Sequence, residues 1–297
     1  MNTMSYIISC CSTTDMTKEH YEEANIKCIG FHYVLGGKSY TDDLWQTMKP
    51  QEFYDHIRAL EDTSTSQVSV GEYVDYFTDL LQSGQDILHI CLSSGISNTV
   101  QSATTAADML SKDFPDQKIY VVDSLCASSG SGLFVDLVVK KREEGLSIEE
   151  AYQWALEHRH DVQHWFCSTD LSYFIKGGRV SKVSGVIGGI FQICPLMDVS
   201  PSGKLVVINK VRTKKKVLEA LVDKMEQHAF DGLKYAGPCY ISHSDCIEDA
   251  EYVKSLVLKR FKNVKDIPIY YIGTTIGCHT GCGTTALYFL GTGREDA

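Results

Sequence analysis

The chain has 297 residues, 43% of them apolar, and its 28 Lys+Arg against 38 Asp+Glu give a formal charge of −10. That balance excludes a nucleic-acid binder acting through bulk positive charge, and the composition excludes a disordered chain. The length suits one large domain or two of about 150 residues. The 11 cysteines are odd in number and too sparse for a disulfide scaffold, so they read as reduced thiols of a cytosolic protein. Met1 to Met4 lacks the basic start of a signal peptide, and no run reaches the ~18 apolar residues that span a bilayer.

Strand-like and helix-like segments alternate along the chain, the pattern of an α/β protein. Tyr6-Ile7-Ile8 opens as a short apolar strand and runs into the polar Cys11-Ser12-Thr13-Thr14-Asp15. After Gly71, residues Tyr73, Val74, Phe77, Leu80 and Leu81 follow helical spacing, and Ile87 to Leu92 reads as a buried strand. Val100, Ala103, Ala107 and Leu110 share the next helical face, before a strand at Ile119 to Val122 and a small-residue loop from Asp123 to Gly132. A helix from Leu133 ends near Gly145, and Ser147-Ile148-Glu149-Glu150 fits a capping box for another. The texture changes around His160-Asp161, which predicts a domain boundary there. Beyond it, Pro201 to Lys204 separates Met197-Asp198-Val199 from Leu205 to Ile208, a hairpin pattern. A helix with Leu218, Leu221, Val222 and Met225 inward follows, and strands at Cys239 to Ser242 and Ile267 to Ile272 flank a helix bearing Ala250, Val253 and Val257.

Familiar catalytic motifs fail. Gly37-Lys38-Ser39 imitates the end of a P-loop, but His32 stands where the phosphate cradle needs glycine. Neither a G-x-G-x-x-G turn nor a G-x-S-x-G elbow is present. Cys239, His243, Cys246, Cys278, His279 and Cys282 cluster in the C-terminal half, yet Cys278-x3-Cys282 is the single pair with zinc-like spacing. One pair is not four ligands, so these read as buried thiols and no metal is expected. Adjacent Cys10 and Cys11 could bridge only with strain. The remaining signal is positional: hydroxyl-rich loops recur at strand ends, at Ser12-Thr13-Thr14, Thr63 to Gln67, Ser93 to Ser97 and Ser124 to Ser131. Ligands of open α/β sheets bind beyond the carboxyl ends of the strands. Each loop alone could simply cap a helix, but the four together favour a pocket for a small anion such as a carboxylate or phosphate.

Thr65-Ser66-Gln67-Val68-Ser69-Val70-Gly71-Glu72-Tyr73 resembles the T-S-Q-P-S-x-G-E-F element of the DegV family. Leu92-Ser93-Ser94-Gly95-Ile96-Ser97-Asn98-Thr99 is similar to its L-S-S-G-L-S-G-T loop, and Val122-Asp123-Ser124 with Ala127-Ser128 to V-x-D-S-x-x-A-S. Phe174 to Ser181 resembles L-K-K-G-G-R-I-S, and Cys278-His279-Thr280-Gly281-Cys282-Gly283-Thr284 the late H-T-G-P-G-T. The five elements stand in family order. Val68 and Cys282 replace prolines, Asn98 replaces a glycine, and Cys11 takes the place of the Asp in the N-terminal D-S-T element.

The resemblance implies a two-domain DegV-like fold, with a Rossmann-like N-terminal domain over 4–160, a second α/β domain over 161–292, and a ligand between them. It implies a cytoplasmic bacterial protein that binds a long-chain fatty acid and presents it to the separate ATP-binding subunit of a fatty acid kinase, so that it is not itself an enzyme. No cofactor and no nucleic-acid partner is implied, and transient membrane contact is compatible. Carried onto matching positions, the carboxylate-binding set is Thr65, Ser66, Ser93, Ser94, Ser97, His279 and Thr280, with Ser93 and Ser97 shaping the loop. Arg179 would sit at the pocket mouth facing the kinase, unless it is an ordinary surface charge, just as His279 could be a structural histidine. A palmitate-length chain burying ~14 methylenes at ~0.8 kcal/mol each gains roughly 11 kcal/mol before ordering costs. Val183 to Phe191 is the candidate tunnel wall or else a plain core helix, and Arg212 to Lys216 either docks the kinase or an anionic headgroup or is a solvated helix start. Two alternatives stay open: an acyl-directed enzyme using Ser94 or a cysteine as nucleophile, and a carrier of another amphiphile.

Overall fold

A computed structural model describes residues 6–180 and 193–294. Strands β1 (Tyr6–Cys11), β2 (Ile26–Ile29), β6 (Asp86–Cys91) and β7 (Ile119–Asp123) form a parallel sheet in the order β2-β1-β6-β7. Alternate residues of β1 and β6 serve opposite faces, as a strand requires. Tyr6, Ile8, Leu88 and Ile90 pack with Leu133, Phe134, Val138, Ala151 and Ala155 of α5 (Ser128–Glu143) and α6 (Ile148–His158). On the other face, Cys11, Ile87 and Cys91 pack with Phe77, Leu81, Ala103 and Leu110 of α3 (Val70–Leu81) and α4 (Thr99–Leu110). Helix α3 opens on a capping box of Ser69 and Glu72, and α6 on the expected one of Ser147 and Glu150.

The second large sheet runs in the order β10-β9-β8-β13-β11-β12 and comprises β8 (Val162–Ser168), β9 (Ile193–Val199), β10 (Leu205–Arg212), β11 (Cys239–His243), β12 (Ile269–Tyr271) and β13 (Thr284–Leu290). Its pairs are antiparallel except β11 with β12, and β9 and β10 form the expected hairpin. Helices α8 (Lys214–His228) and α9 (Ile247–Arg260) cover one face, where Leu221, Met225, Val253 and Val257 meet Trp165, Leu287 and Phe289. The opposite face, with Phe166, Met197 and Tyr288, shares its core with α5, so α5 is packed by both sheets. That double packing explains a departure from the sequence reading. Ser128 to Gly132 is the buried first turn of α5 and not a loop. A Cβ on Gly130 would stand 2.3 Å from His164 Nε2 and one on Gly132 2.8 Å from Met16 Cγ, so only small residues fit between the layers.

A third sheet was not expected. Strands β3 (His32–Leu35), β4 (Lys38–Thr41) and β5 (Thr63–Ser66) pair antiparallel in the order β4-β3-β5. Thr63 to Ser66, expected as a loop, is thus a strand; its Thr-Ser alternation carries no hydrophobic period to reveal it. With α2 (Pro50–Arg58), this sheet packs Tyr33, Phe53, Tyr54 and Ile57 against Cys278 of α10 (Thr274–Thr280), a further helix not expected. Tyr54 Oη donates to the Ile272 carbonyl at 2.6 Å, and Tyr173 of α7 (Ser172–Lys176) donates to that of Ile57 at 2.9 Å. The short α1 (Lys18–Glu23) completes the α-helices among the described residues, which also hold 3-10 turns at Ser12–Thr14 and Gly232–Lys234. All 11 cysteines are unpaired. No helix among the described residues is long and apolar enough to cross a membrane, and the Val183 to Phe191 tract lies outside the described residues.

Candidate functional site

A cavity of about 880 Å³ lies where the small sheet, the loop after β6, α10 and the inner face of the second large sheet meet. Phe31, Leu92, Phe166, Phe174, Val199 and Ile276 are among its apolar lining. Thr65, Ser66, Ser94, Ser97, Arg179, His279 and Thr280 line it as well, so seven of the eight expected site residues reach one space. Ser93 is the exception. It is fully buried, is not among the lining residues, and its hydroxyl donates to the Gly203 carbonyl at 2.8 Å while accepting the Gly95 amide at 3.1 Å. It shapes the loop by latching it to the β9–β10 turn, and a direct contact with a ligand is not what its position offers.

The loop conformation follows from such local bonds. The Ser94 amide donates to Asp123 Oδ1 at 3.1 Å, and Ser97 Oγ accepts the Thr99 amide at 3.2 Å, satisfying one of the orphan N–H groups that open α4. Gly95 is fixed by contact: a Cβ there would stand 2.4 Å from the carbonyl of Gly203. Among the described residues, the hydroxyls of Ser66 and Ser94 make no hydrogen bond within the protein, which leaves both to a ligand.

His279 is the electrostatic centre. Its Nε2 lies 2.7 Å from Thr65 Oγ1, while Nδ1 is buried without a partner against Gly177, where a Cβ would stand 2.2 Å away. Burial, reinforced by the Arg179 guanidinium, pushes its pKa down to about 4, so the ring is neutral at pH 7. An unpaired acceptor is tolerated better than an unpaired N–H. The proton therefore belongs on Nε2, donated to Thr65 Oγ1, and the Thr65 O–H is free to donate onward. Arg179 is half-buried and anchored to the carbonyls of Ile96 at 3.3 Å and Gly177 at 2.5 Å, which holds a cation beside this cluster. The result is a set of neutral donors flanked by Arg179, with Lys204 a second cation on the wall, opening onto apolar walls, a combination suited to a carboxylate with a hydrocarbon tail.

Sequence reasoning missed other polar groups of the wall. His164 lines the cavity, but its nitrogens are committed to the Val162 carbonyl at 3.0 Å and the Ala127 amide at 3.3 Å. Burial, with Arg294 nearby, pushes its pKa well below the usual range. A histidine inside a buried strand carries no motif that would have singled it out. The C-terminal cysteines and histidines weighed as zinc ligands do not converge: among the described residues, no three of them bring ligand atoms together. Of the basic turn, Lys214 pairs with Asp249 at 2.6 Å.

The family model described as "Uncharacterised protein, DegV family" matches residues 8–292. The DegV domain-containing protein CPE0026 of Clostridium perfringens is 33% identical over 290 residues, covering 98% of this chain and 99% of that protein. Among solved structures, a DegV lipid binding protein from Thermotoga maritima superposes with a TM-score of 0.82 at 28% identity, covering 98% of this chain and 100% of its own. A second Thermotoga maritima protein, whose structure reveals a fatty acid binding function, gives 0.82 at 27% identity and covers 97% and 100%. Motif order, fold and full-length likeness agree, and the chain belongs to the DegV family.

Proposed function

We propose that this protein binds one long-chain fatty acid, its carboxylate at the Thr65–His279 end of the cavity and its tail along the apolar walls. The observation that carries this is the pairing of a neutral His279 with Thr65 in a cavity that also holds the unpartnered hydroxyls of Ser66 and Ser94. Thr65, Ser66 and Ser94 donate to the carboxylate, Ser97 and Thr280 complete that end, and Ser93 braces the loop. The lipid and fatty acid binding of the two Thermotoga proteins supports the ligand class. The carboxylate is presented, with Arg179 beside it, to a separate ATP-dependent fatty acid kinase that forms the acyl phosphate, so the phosphoryl transfer is the partner's. In this reading the protein works in the cytoplasm with transient membrane contact, and units 4–160 and 161–292 close on the lipid from two sides.

The test is fatty-acid titration of the delipidated protein and of the double variant Thr65→Ala, Ser94→Ala. Losing two hydrogen bonds to a charged group costs roughly 3–6 kcal/mol, a weakening of about a hundredfold or more. Unchanged affinity for palmitate and oleate would refute the site, and no binding by the wild type would refute the ligand.

A further inference from the structure

Away from the cavity, the two central strands of the parallel sheet carry polar groups where such strands usually carry Val, Ile or Leu. Ser9 and Cys11 are alternate residues of β1 and share a face, as do His89 and Cys91 on β6, and the register sets Ser9 beside His89. Helix α3 covers this face, with the rings of Tyr73, Tyr76 and Phe77 packed around His89 at centroid distances of 5.3, 6.5 and 5.3 Å. Cys11, Tyr73, His89 and Cys91 are each no more than 1% exposed.

Their polar atoms converge. Cys11 Sγ lies 3.3 Å from Tyr73 Oη and 3.7 Å from His89 Nε2, and Nε2 lies 3.3 Å from Tyr73 Oη. Cys91 joins them, with the ligand atoms of Cys11, His89 and Cys91 all within 4.8 Å of one another. The triangle of Cys11, Tyr73 and His89 has edges of 3.3 to 3.7 Å, the size of one face of a tetrahedron whose corners lie roughly 2.0–2.3 Å from its centre, the range of zinc bonds to oxygen, nitrogen and sulfur, and Cys91 stands within 4.8 Å of the Cys11 and His89 ligand atoms. The other ring nitrogen, Nδ1, meets Ser9 Oγ at 2.8 Å. That contact fixes the ring and turns the Nε2 lone pair toward the cluster, as the outer partner of a metal-bound histidine does.

We propose that Cys11, His89 and Cys91, with the Tyr73 hydroxyl at the fourth corner, form a buried structural zinc site. Charge selects the ion: two thiolates with a neutral imidazole and a neutral phenol are balanced by a divalent cation, whereas monovalent copper would leave a net charge in an apolar layer. Four protein ligands leave no open coordination position, so the ion acts on structure and not in catalysis. It ties β1, β6 and α3 together beneath the cavity. Tyr73 Oη also meets Thr99 Oγ1 at 2.8 Å at the start of α4, and Leu92 and Ser94 follow Cys91 directly into the cavity lining. No ligand spacing along the chain points to this set, because 78 residues separate Cys11 from His89.

The experiment is metal analysis of full-length protein expressed with added zinc and purified under reducing conditions, followed by unfolding and refolding with zinc or cobalt(II). One equivalent of zinc per chain is expected, resistant to EDTA in the folded protein and released on denaturation. The cobalt form should show thiolate charge-transfer and four-coordinate ligand-field bands, and Cys11→Ala should lose the equivalent of metal while keeping its far-ultraviolet spectrum. Protein that folds metal-free and takes up neither ion on refolding, or Cys11→Ala and Cys91→Ala variants with undiminished zinc, would overturn the site. Should both variants fail to fold, the wild type decides: refolding that incorporates one zinc supports the site, and refolding without uptake refutes it. Fatty acid binding does not enter these readouts.

Discussion

At the scale of single residues, His279 connects the candidate site to pH. Its pKa falls from the ordinary histidine value of 6.5 to about 4 on folding, chiefly through burial. The unfolded chain therefore binds a proton that the folded one refuses between these values. The stability this histidine contributes is complete above pH 6.5 and is lost as pH falls toward about 4, by up to about 1.4 kcal/mol per pH unit. Burial raises the carboxyls of Asp15 and Asp42, which act in the opposite sense, while His243 is also pushed down to about 4. The informative quantity is thus a difference: the stability of His279→Gln should fall less steeply than wild type between pH 6.5 and 4 in denaturant titrations, and identical slopes would show that the ring is not held neutral. The residues that line the candidate site were largely legible at this scale because Thr65, Ser94, Arg179 and His279 sit in short strings of small and polar residues. His164 and the Ser93 latch were not, since a buried histidine or serine looks the same in sequence whatever it bonds.

At the scale of elements, the seam between the Ser93–Asn98 loop and the β9–β10 turn leaves no room for a side chain. Gly95 meets the Gly203 backbone at a distance where any Cβ must displace main chain, and Gly203 has φ +76° with Ser93 Oγ beside it. Gly95→Ala is expected to destabilise the fold by about 1–3 kcal/mol and to weaken fatty-acid binding, because it pushes the loop that carries Ser94 off the hairpin. Chemical denaturation and lipid titration measure the two effects, and an alanine accepted at no cost would mean that the seam has room for a methyl group. The helices with strong apolar periodicity, α3, α4, α8 and α9, were readable, as were the central strands and the hairpin. Strand β5 and the first turn of α5 were not. The first has alternating Thr and Ser and pairs along an antiparallel edge, and the second is made of Ser and Gly because two layers crowd it, a tertiary reason invisible to local propensity.

At the scale of the whole molecule, a ligand held where the small sheet, the loop after β6 and the second large sheet meet stabilises these parts jointly. A fatty acid at a hundred times its dissociation constant adds about 2.7 kcal/mol to the folded state. Thermal unfolding of delipidated protein should therefore shift upward with added palmitate, as one transition if the sheets unfold together, and an unmoved midpoint would count against a shared cavity. The excess of acidic groups, 38 against 28, means that the proposed carboxylate ligand would meet a repulsive surrounding field, against which the local donors, Arg179 and Lys204 would act.

The bond between Thr65 and His279 spans 214 positions of the chain. During synthesis the parallel sheet and the small sheet are complete long before α10 emerges, and until then Tyr33, Phe53 and Ile57 have no Cys278 to pack against. The pocket is consequently among the last native features to assemble, its closure limited by a long-range encounter of the kind that slows folding. For much of its making the nascent chain shows an apolar patch of the sort that chaperones recognise.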